Sequence, residues 1–162
     1  MPPCAHSPVV PPLRLRQASL ADGPQLARLA TQLGYPSTEE QMARRLTALL
    51  PRADHWLGVA EAGEPGQVVA WLHASLVCAL ESDPHAEILG LVVDEQCRGQ
   101  GIGQQLVTAA SHWARGQGME RLWVRSNLVR QQAHHFYRRL GFTDLKAQQV
   151  FGLRLNEAGS AA

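Results

Sequence analysis

The sequence has no excess of either charge. Fifteen Lys and Arg stand against fourteen Asp and Glu, a formal net charge of +1 over 162 residues. No broad field is therefore available to draw in nucleic acid or anionic lipid. Cysteine is sparse: Cys4, Cys78 and Cys97 lie far apart with no CxxC pair. An odd, scattered set argues against a disulfide framework or a structural zinc site and fits a reducing compartment. No run of about 18 apolar residues occurs, so no membrane span is expected. The opening residues carry no basic stretch and no apolar core, which does not fit a secretion signal. Five prolines among the first twelve residues deny helix and central-strand geometry there. The expectation is a disordered Pro-rich tail over residues 1–12, a single domain over 13–162 and a cytoplasmic location. With 45% hydrophobic and 18% charged residues, the chain has the composition of an ordinary globular domain.

No internal repeat interrupts the pass along the chain. Leu13-Arg-Leu-Arg-Gln17 alternates as a strand does. Ser19 to Asp22 reads as a helix start, the stripe Leu26, Leu29, Ala30, Leu33 follows at helical spacing, and Gly34 stops it. Ser37-Thr-Glu-Glu40 matches a capping box ahead of a second helix striped by Met42, Leu46, Leu49 and Leu50. Strands are expected at Trp56–Ala60, Gln67–Val77 and Ala86–Val93, with a turn at Gly63–Gly66. A glycine-rich turn from Arg98 to Gly103 then opens a helix with Leu106, Ala110 and Trp113 on one face. A strand at Arg121–Arg125, a helix from Gln132 to Leu140 closed by Gly141, and a last strand at Val150–Leu155 complete the pattern. The order β-α-α-β-β-β-α-β-α-β defines an α/β fold, a mixed sheet flanked by helices.

The sharpest local signal is Val92-Val-Asp-Glu-Gln-Cys-Arg-Gly-Gln-Gly-Ile-Gly-Gln-Gln-Leu106. A strand ends, three glycines follow, and an amphipathic helix begins. The first N–H groups of a helix lack internal partners and sit at the positive end of its dipole. Glycines let the backbone approach a ligand closely. Together they make an anion cradle to which Arg98 adds a fixed charge. A P-loop would need a Lys after these glycines, and a dinucleotide fingerprint one more residue between Gly101 and Gly103. The plain alternative is a capped turn with no ligand.

Arg98-Gly-Gln-Gly-Ile-Gly103 resembles the [QR]xxGx[GA] motif of the GNAT superfamily of acetyl-CoA-dependent N-acetyltransferases. Downstream, Ala133-His-His-Phe-Tyr-Arg-Arg-Leu-Gly-Phe142 is similar to that family's A-x-x-FY-x-x-x-GF segment, and Ala86–Asp94 is similar to its fourth strand. The resemblance covers the chain from about Leu13 to Leu155 in element order and is specific in residues from about Glu87 to Phe142. It implies a GNAT-like, mostly antiparallel sheet, with acetyl-CoA as cosubstrate and no metal. It further implies that the amides of Arg98, Gly99, Gln100, Gly101, Ile102 and Gly103 bind pyrophosphate. Leu91, Val92 and Val93 would run beside the pantetheine arm, and an amide near Val93 would face the thioester oxygen, where charge grows during acyl transfer.

Acyl transfer to an amine needs a base for the ammonium and an acid for the leaving thiolate. Tyr137 matches the family's tyrosine near the coenzyme A sulfur and is the candidate acid. It also sits on the stripe Ala133, Phe136, Tyr137, Leu140, which a core residue would do as well. Glu87 is the candidate base. Strand alternation puts it on one face with Leu89, Leu91 and Val93, and carboxylates in apolar surroundings make better bases. The alternative for Glu87 is a strand-end charge in solvent. His85, His134 and His135 read as solvated, and His73 as either an acceptor-pocket lining or a satisfied strand residue. The family often carries Asn three residues before the Ala of its second motif. Arg130 stands there instead, leaving Asn127 as the candidate contact to the coenzyme A arm and Arg130 as a candidate phosphate contact. Cys97 lies on the pyrophosphate side of the loop, which argues against a covalent acyl-enzyme. The reading is an N-acetyltransferase acting by direct attack of a small-molecule primary amine, with no nucleic acid or membrane partner and a homodimer left open. The alternatives are a non-catalytic acyl-CoA-binding module of the same fold, a protein N-terminal or lysine acetyltransferase, or another acyl donor. Glu81, Asp83 and Glu87 would suit a cationic acceptor, although loop carboxylates are usually just solvated.

Overall fold

A computed structural model describes residues 12–63 and 66–155. The expected Pro-rich tail lies outside the described residues except for Pro12, and the Gly63–Gly66 turn lies partly outside them. The chain divides into two units, residues 1–125 and 126–162. Among the described residues no helix is long and apolar enough to cross a membrane.

The first unit holds five strands, β1 (Leu13–Gln17), β2 (His55–Ala62), β3 (Val68–Ala79), β4 (Ser82–Val93) and β5 (Leu122–Val124). They lie in the order β1-β2-β3-β4-β5. The first three pairings are antiparallel and β4–β5 is parallel. Helices α1 (Gly23–Gln32) and α2 (Glu39–Leu49) precede β2, and α3 (Ile102–Gly116) lies between β4 and β5. The sheet is thus mixed and mostly antiparallel, as expected.

Two cores follow from strand alternation. Val59, Val68 and Val92 pack with Leu26, Leu29, Ala30, Met42 and Leu46 of α1 and α2. The α3 stripe Ile102, Leu106, Val107, Ala110 and Ala114 is buried in turn, and α3 packs on β2, β3 and β4. Helix α1 begins after a short 3-10 turn at Leu20–Asp22, where the Ser19 amide donates to Asp22 Oδ2 at 2.7 Å. The capping box of α2 is one residue later than the Ser37–Glu40 reading. The Gln41 amide donates to Thr38 Oγ1 at 3.1 Å and the Thr38 amide to Gln41 Oε1 at 3.0 Å. Ser37 is spared for another use, accepting from Arg45 Nη1 at 2.7 Å.

The second unit carries α4 (Gln131–Arg139), followed by Gly141 in the left-handed region at φ 93°. The strand expected at Val150–Leu155 is not formed. Residues 143–155 hold no regular structure, and Val150, Phe151, Leu153 and Leu155 are all more than four-fifths exposed. Alternation alone does not make a strand, because its amides and carbonyls need a ladder partner.

Candidate active site

Strand β4 carries the central feature. Its parallel ladder with β5 joins Ala86, Glu87 and Ile88 to Leu122, Trp123 and Val124 and ends there. β4 itself continues to Val93. From Leu89 to Val93, no strand pairs with this edge among the described residues. On the other side, β3 stays paired throughout. The Asp94 amide donates to the Val69 carbonyl at 2.7 Å. Amides alternate in direction along a strand, so those of Leu91 and Val93 point to the open edge.

Leu89 is a β-bulge. His73 opposes Gly90 and Ala74 opposes Ile88, which leaves Leu89 without a counterpart. The bulge corrects the face assigned to Glu87. Residues directly opposite one another project to the same face. Glu87 opposes Ser75, Gly90 opposes His73, and Val92 opposes Trp71. Glu87 therefore shares its face with Gly90 and Val92, and with Trp71, His73 and Ser75 of β3. Leu91 and Val93 lie on the other face. One inserted residue exchanged the two sides, which simple alternation does not foresee.

Beyond Val93 the chain turns through Glu95–Cys97 into the glycine loop. Gly99 and Gly101 have φ of 77° and 78°, conformations that suit glycine. A Cβ built at either would meet nothing within 4 Å. The loop is glycine because of its backbone path, and the space over it is open. Gly101 caps α3, and the Gln105 amide makes a helical bond to the Gly101 carbonyl at 3.1 Å. The amides of Ile102, Gly103 and Gln104 are the orphan donors of the helix start. Arg98 Nε donates to the Val93 carbonyl at 3.2 Å, tying the loop to the end of β4.

Glu87 is buried, 6% exposed. Its Oε1 accepts from Arg125 Nε at 2.8 Å, and its Oε2 lies 3.8 Å from His85 Nε2. His85 is buried rather than solvated, and its ring lies 4.0 Å, centroid to centroid, from that of Trp123. Glu81 and Asp83 do not join Glu87 in an acidic patch, since Asp83 is exposed and faces Arg121 at 3.7 Å. Further along the same sheet face, His55 Nδ1 lies 2.8 Å from His73 Nε2. Burial, with the neighbouring His55, pushes the His73 pKa down to about 4. Burial and the adjacent Arg52 lower that of His55.

His73 lines a cavity of about 570 Å³ between the sheet, α1 and α2. Trp71 forms part of its wall, and the bulge residues Leu89 and Gly90 line it too. A Cβ at Gly90 would come within 2.8 Å of the Trp71 ring, so glycine there lets the indole lie against β4. Arg45 and Tyr35 also line the cavity and were not singled out from the sequence. A signal existed for Arg45. It falls on the i, i+3, i+4, i+7 stripe of Met42, Leu46 and Leu49.

In the second unit, the Asn127 side chain accepts from the Val129 amide at 3.1 Å, and its carbonyl lies 3.0 Å from His134 Nε2. Arg130 is the N-cap residue of α4. Tyr137 stacks edge-on against Phe136 and Phe142, at 5.1 and 5.4 Å between centroids. Burial pushes its hydroxyl pKa up to about 12, so it holds its proton at neutral pH. Among the described residues no group of His, Cys, Asp and Glu is arranged to hold a metal ion.

The fold and the glycine loop at the end of an open-edged strand define an acyltransferase of the GNAT kind. The sequence model of the Acetyltransferase (GNAT) family matches residues 24–142. The chain belongs to the GNAT acetyltransferase family and is an N-acetyltransferase. It is 30% identical over 145 residues to the aminoglycoside N(6')-acetyltransferase type 1 of Stenotrophomonas maltophilia, covering 87% of this chain and 93% of that protein. It is 31% identical over 143 residues to the aminoalkylphosphonate N-acetyltransferase of Salmonella typhimurium, covering 83% and 87%. Among solved structures, an aminoglycoside 6'-N-acetyltransferase from Acinetobacter baumannii aligns with a TM-score of 0.77 at 21% identity, over 90% of this chain and all of that one. An aminoglycoside N-acetyltransferase in complex with CoA aligns with a TM-score of 0.79 at 18% identity, over 91% and 99%. These two show the shared fold.

Proposed function

We propose that the chain transfers acetyl from acetyl-CoA to a primary amine of a small molecule by direct attack. The observation that carries this reading is the continuity of two unfilled donor sets along one stretch of chain. The open edge of β4 presents the amides of Leu91 and Val93. The glycine loop then presents the orphan amides that begin α3. A coenzyme A fits this arrangement: an extended amide-bearing arm adds to a free strand edge, and a pyrophosphate meets a helix N-terminus.

In this reading Leu91, Val92 and Val93 hold the arm, and Arg98, Gly99, Gln100, Gly101, Ile102 and Gly103 hold the pyrophosphate. The family resemblance assigns Asn127 and Tyr137 to coenzyme A as well. Bound acetyl-CoA supplies the acyl thioester. The Val93 amide supplies a fixed donor for the oxygen that gains charge. Glu87 takes a proton from the acceptor ammonium, directly or through water, and Tyr137 returns one to the leaving sulfur. The acceptor occupies the cavity bordered by Leu89 and Gly90, next to the open edge. The two relatives described above are named for acetylating small molecules, which supports a small acceptor.

The test is a panel of amines incubated with acetyl-CoA, following thiol release and acetylated product by mass spectrometry. Amine-dependent thiol release with stoichiometric N-acetyl product is expected. Binding of acetyl-CoA with no amine turned over would make the chain a binding module.

A further inference from the structure

The acceptor cavity has a charge inventory that narrows the amine it takes. This inference rests on the reading that acetyl is transferred to an amine in that cavity. Its volume of about 570 Å³ is in the range of small-molecule sites. Leucine side chains from α1, α2, β2 and β4 line it, with the Trp71 indole set against Gly90. Among the described residues that line it, none is Asp or Glu. Glu87, on the same sheet face but outside that lining, is the carboxylate assigned to the reacting amine, and its Oε1 also accepts from Arg125 Nε at 2.8 Å. His73 is neutral at physiological pH, since burial pushes its pKa down to about 4. Among the described lining residues the one charged side chain is Arg45, steered by its 2.7 Å hydrogen bond to Ser37.

A polycation fits such a cavity poorly. Each ammonium moved out of water needs a carboxylate or a set of acceptors, and an unpaired buried charge costs several kcal/mol. Here an additional ammonium would find mostly apolar walls, with the Ser37 hydroxyl already accepting from Arg45, and any near the α2 side would meet Arg45 as a like charge. The same inventory suits a molecule with one amine. An apolar or aromatic body would lie on the Trp71 ring and the leucines, gaining from burial and stacking. An anion at the other end would meet the Arg45 guanidinium, whose planar fork matches a carboxylate or phosphonate. We infer that the acceptor is a monoamine with an apolar or aromatic body that ends in an anionic group held by Arg45, and that polycationic aminosugars are disfavoured.

Three probes test this with wild type and Arg45→Gln: 4-(2-aminoethyl)benzoate, phenethylamine and kanamycin. Arg45 is exposed, so the substitution leaves the core intact. Wild type should give a kcat/KM for the benzoate about tenfold above that for phenethylamine, the worth of one charge-assisted contact. Kanamycin should fall about a hundredfold or more below the benzoate. In Arg45→Gln the benzoate-to-phenethylamine ratio should drop toward one. Kanamycin turned over as well as or better than the benzoate would overturn the inference, as would a ratio that Arg45→Gln leaves unchanged. In both cases acetyl transfer itself stands. If acetyl-CoA does not raise the Tm of the wild type, the reading beneath the inference fails, and the inference with it.

Discussion

His55 Nδ1 and His73 Nε2 meet at 2.8 Å across β2 and β3. One ring must donate its N–H to the lone pair of the other, so the contact requires at least one neutral imidazole. Burial enforces this, pushing His73 down to about 4 and lowering His55, where the ordinary value is 6.5. The unfolded chain therefore binds more protons between pH 6.5 and 4, and stability falls as pH drops through that window. Above pH 6.5 the contribution is fully present. His73 keeps some solvent contact, so the loss at pH 4 is about 2 kcal/mol, below that of the whole shift. Tm followed from pH 7 to 4 should decline, and His73→Phe should flatten the decline. A wild-type Tm that holds steady over that range would contradict this account of the pair.

Arg16 clasps two carboxylates at once. It donates to Asp22 through Nη1 at 2.8 Å and Nη2 at 2.7 Å, and to Glu61 through Nε at 2.7 Å. Burial is the largest influence on Asp22 and works against its charged form, but the Arg16 hydrogen bonds, the Ser19 amide and hydroxyl and the Arg16 charge together outweigh it and hold its pKa below the usual carboxylate value. Arg16→Met would leave both acids with their main partner gone. The expected cost is about 3–5 kcal/mol in urea denaturation at pH 7. It should shrink below pH 4, where protonation removes the stranded charge.

At Gly101 the φ of 78° excludes most side chains. Gly101→Val should cost about 1–2 kcal/mol or more in folding stability. It should also abolish the rise in Tm that acetyl-CoA produces by binding the native state. Gly116→Ala, where a Cβ meets nothing and φ is ordinary, should keep that rise.

Tyr137→Phe keeps the aromatic contacts to Phe136 and Phe142 and removes only the hydroxyl. If Tyr137 protonates the leaving sulfur, kcat should drop by about 10²–10⁴-fold with CoA affinity and Tm nearly unchanged. A loss of Tm with kcat intact would make Tyr137 a packing residue.

Glu87→Gln separates proton abstraction from attraction. For a base, kcat/KM should fall by about 10²-fold near neutral pH. The defect should narrow as pH rises and the free amine becomes abundant. For a purely electrostatic role, KM should rise at all pH values and more so for acceptors of higher charge. A pH profile identical to wild type would rule out both.

Much of the fold was legible because its signals are local. The β1 strand was read at its observed limits, and the glycine loop and the start of α3 announced themselves through glycine spacing and a helical stripe. The Leu89 bulge was not legible. It depends on how β3 and β4 align, and it reversed the face assigned to Glu87. Arg125 escaped notice for the same reason, since its partner lies 38 residues away on a neighbouring strand. Val150–Leu155 erred in the opposite direction, with the alternation of a strand and no ladder to complete it. Arg45 lay on a visible stripe, but only the cavity gives that position meaning.

The central claim is that the donor lies along the open edge of β4 and over the glycine loop. Titration of ¹⁵N-labelled protein with coenzyme A, followed through backbone amide resonances, tests it most directly. The account predicts saturable shifts concentrated at Leu91, Val93 and Gly99 to Gln104, with α2 residues such as Arg44 unmoved. Shifts centred on α1 and α2, or none at these amides at saturating ligand, would contradict it.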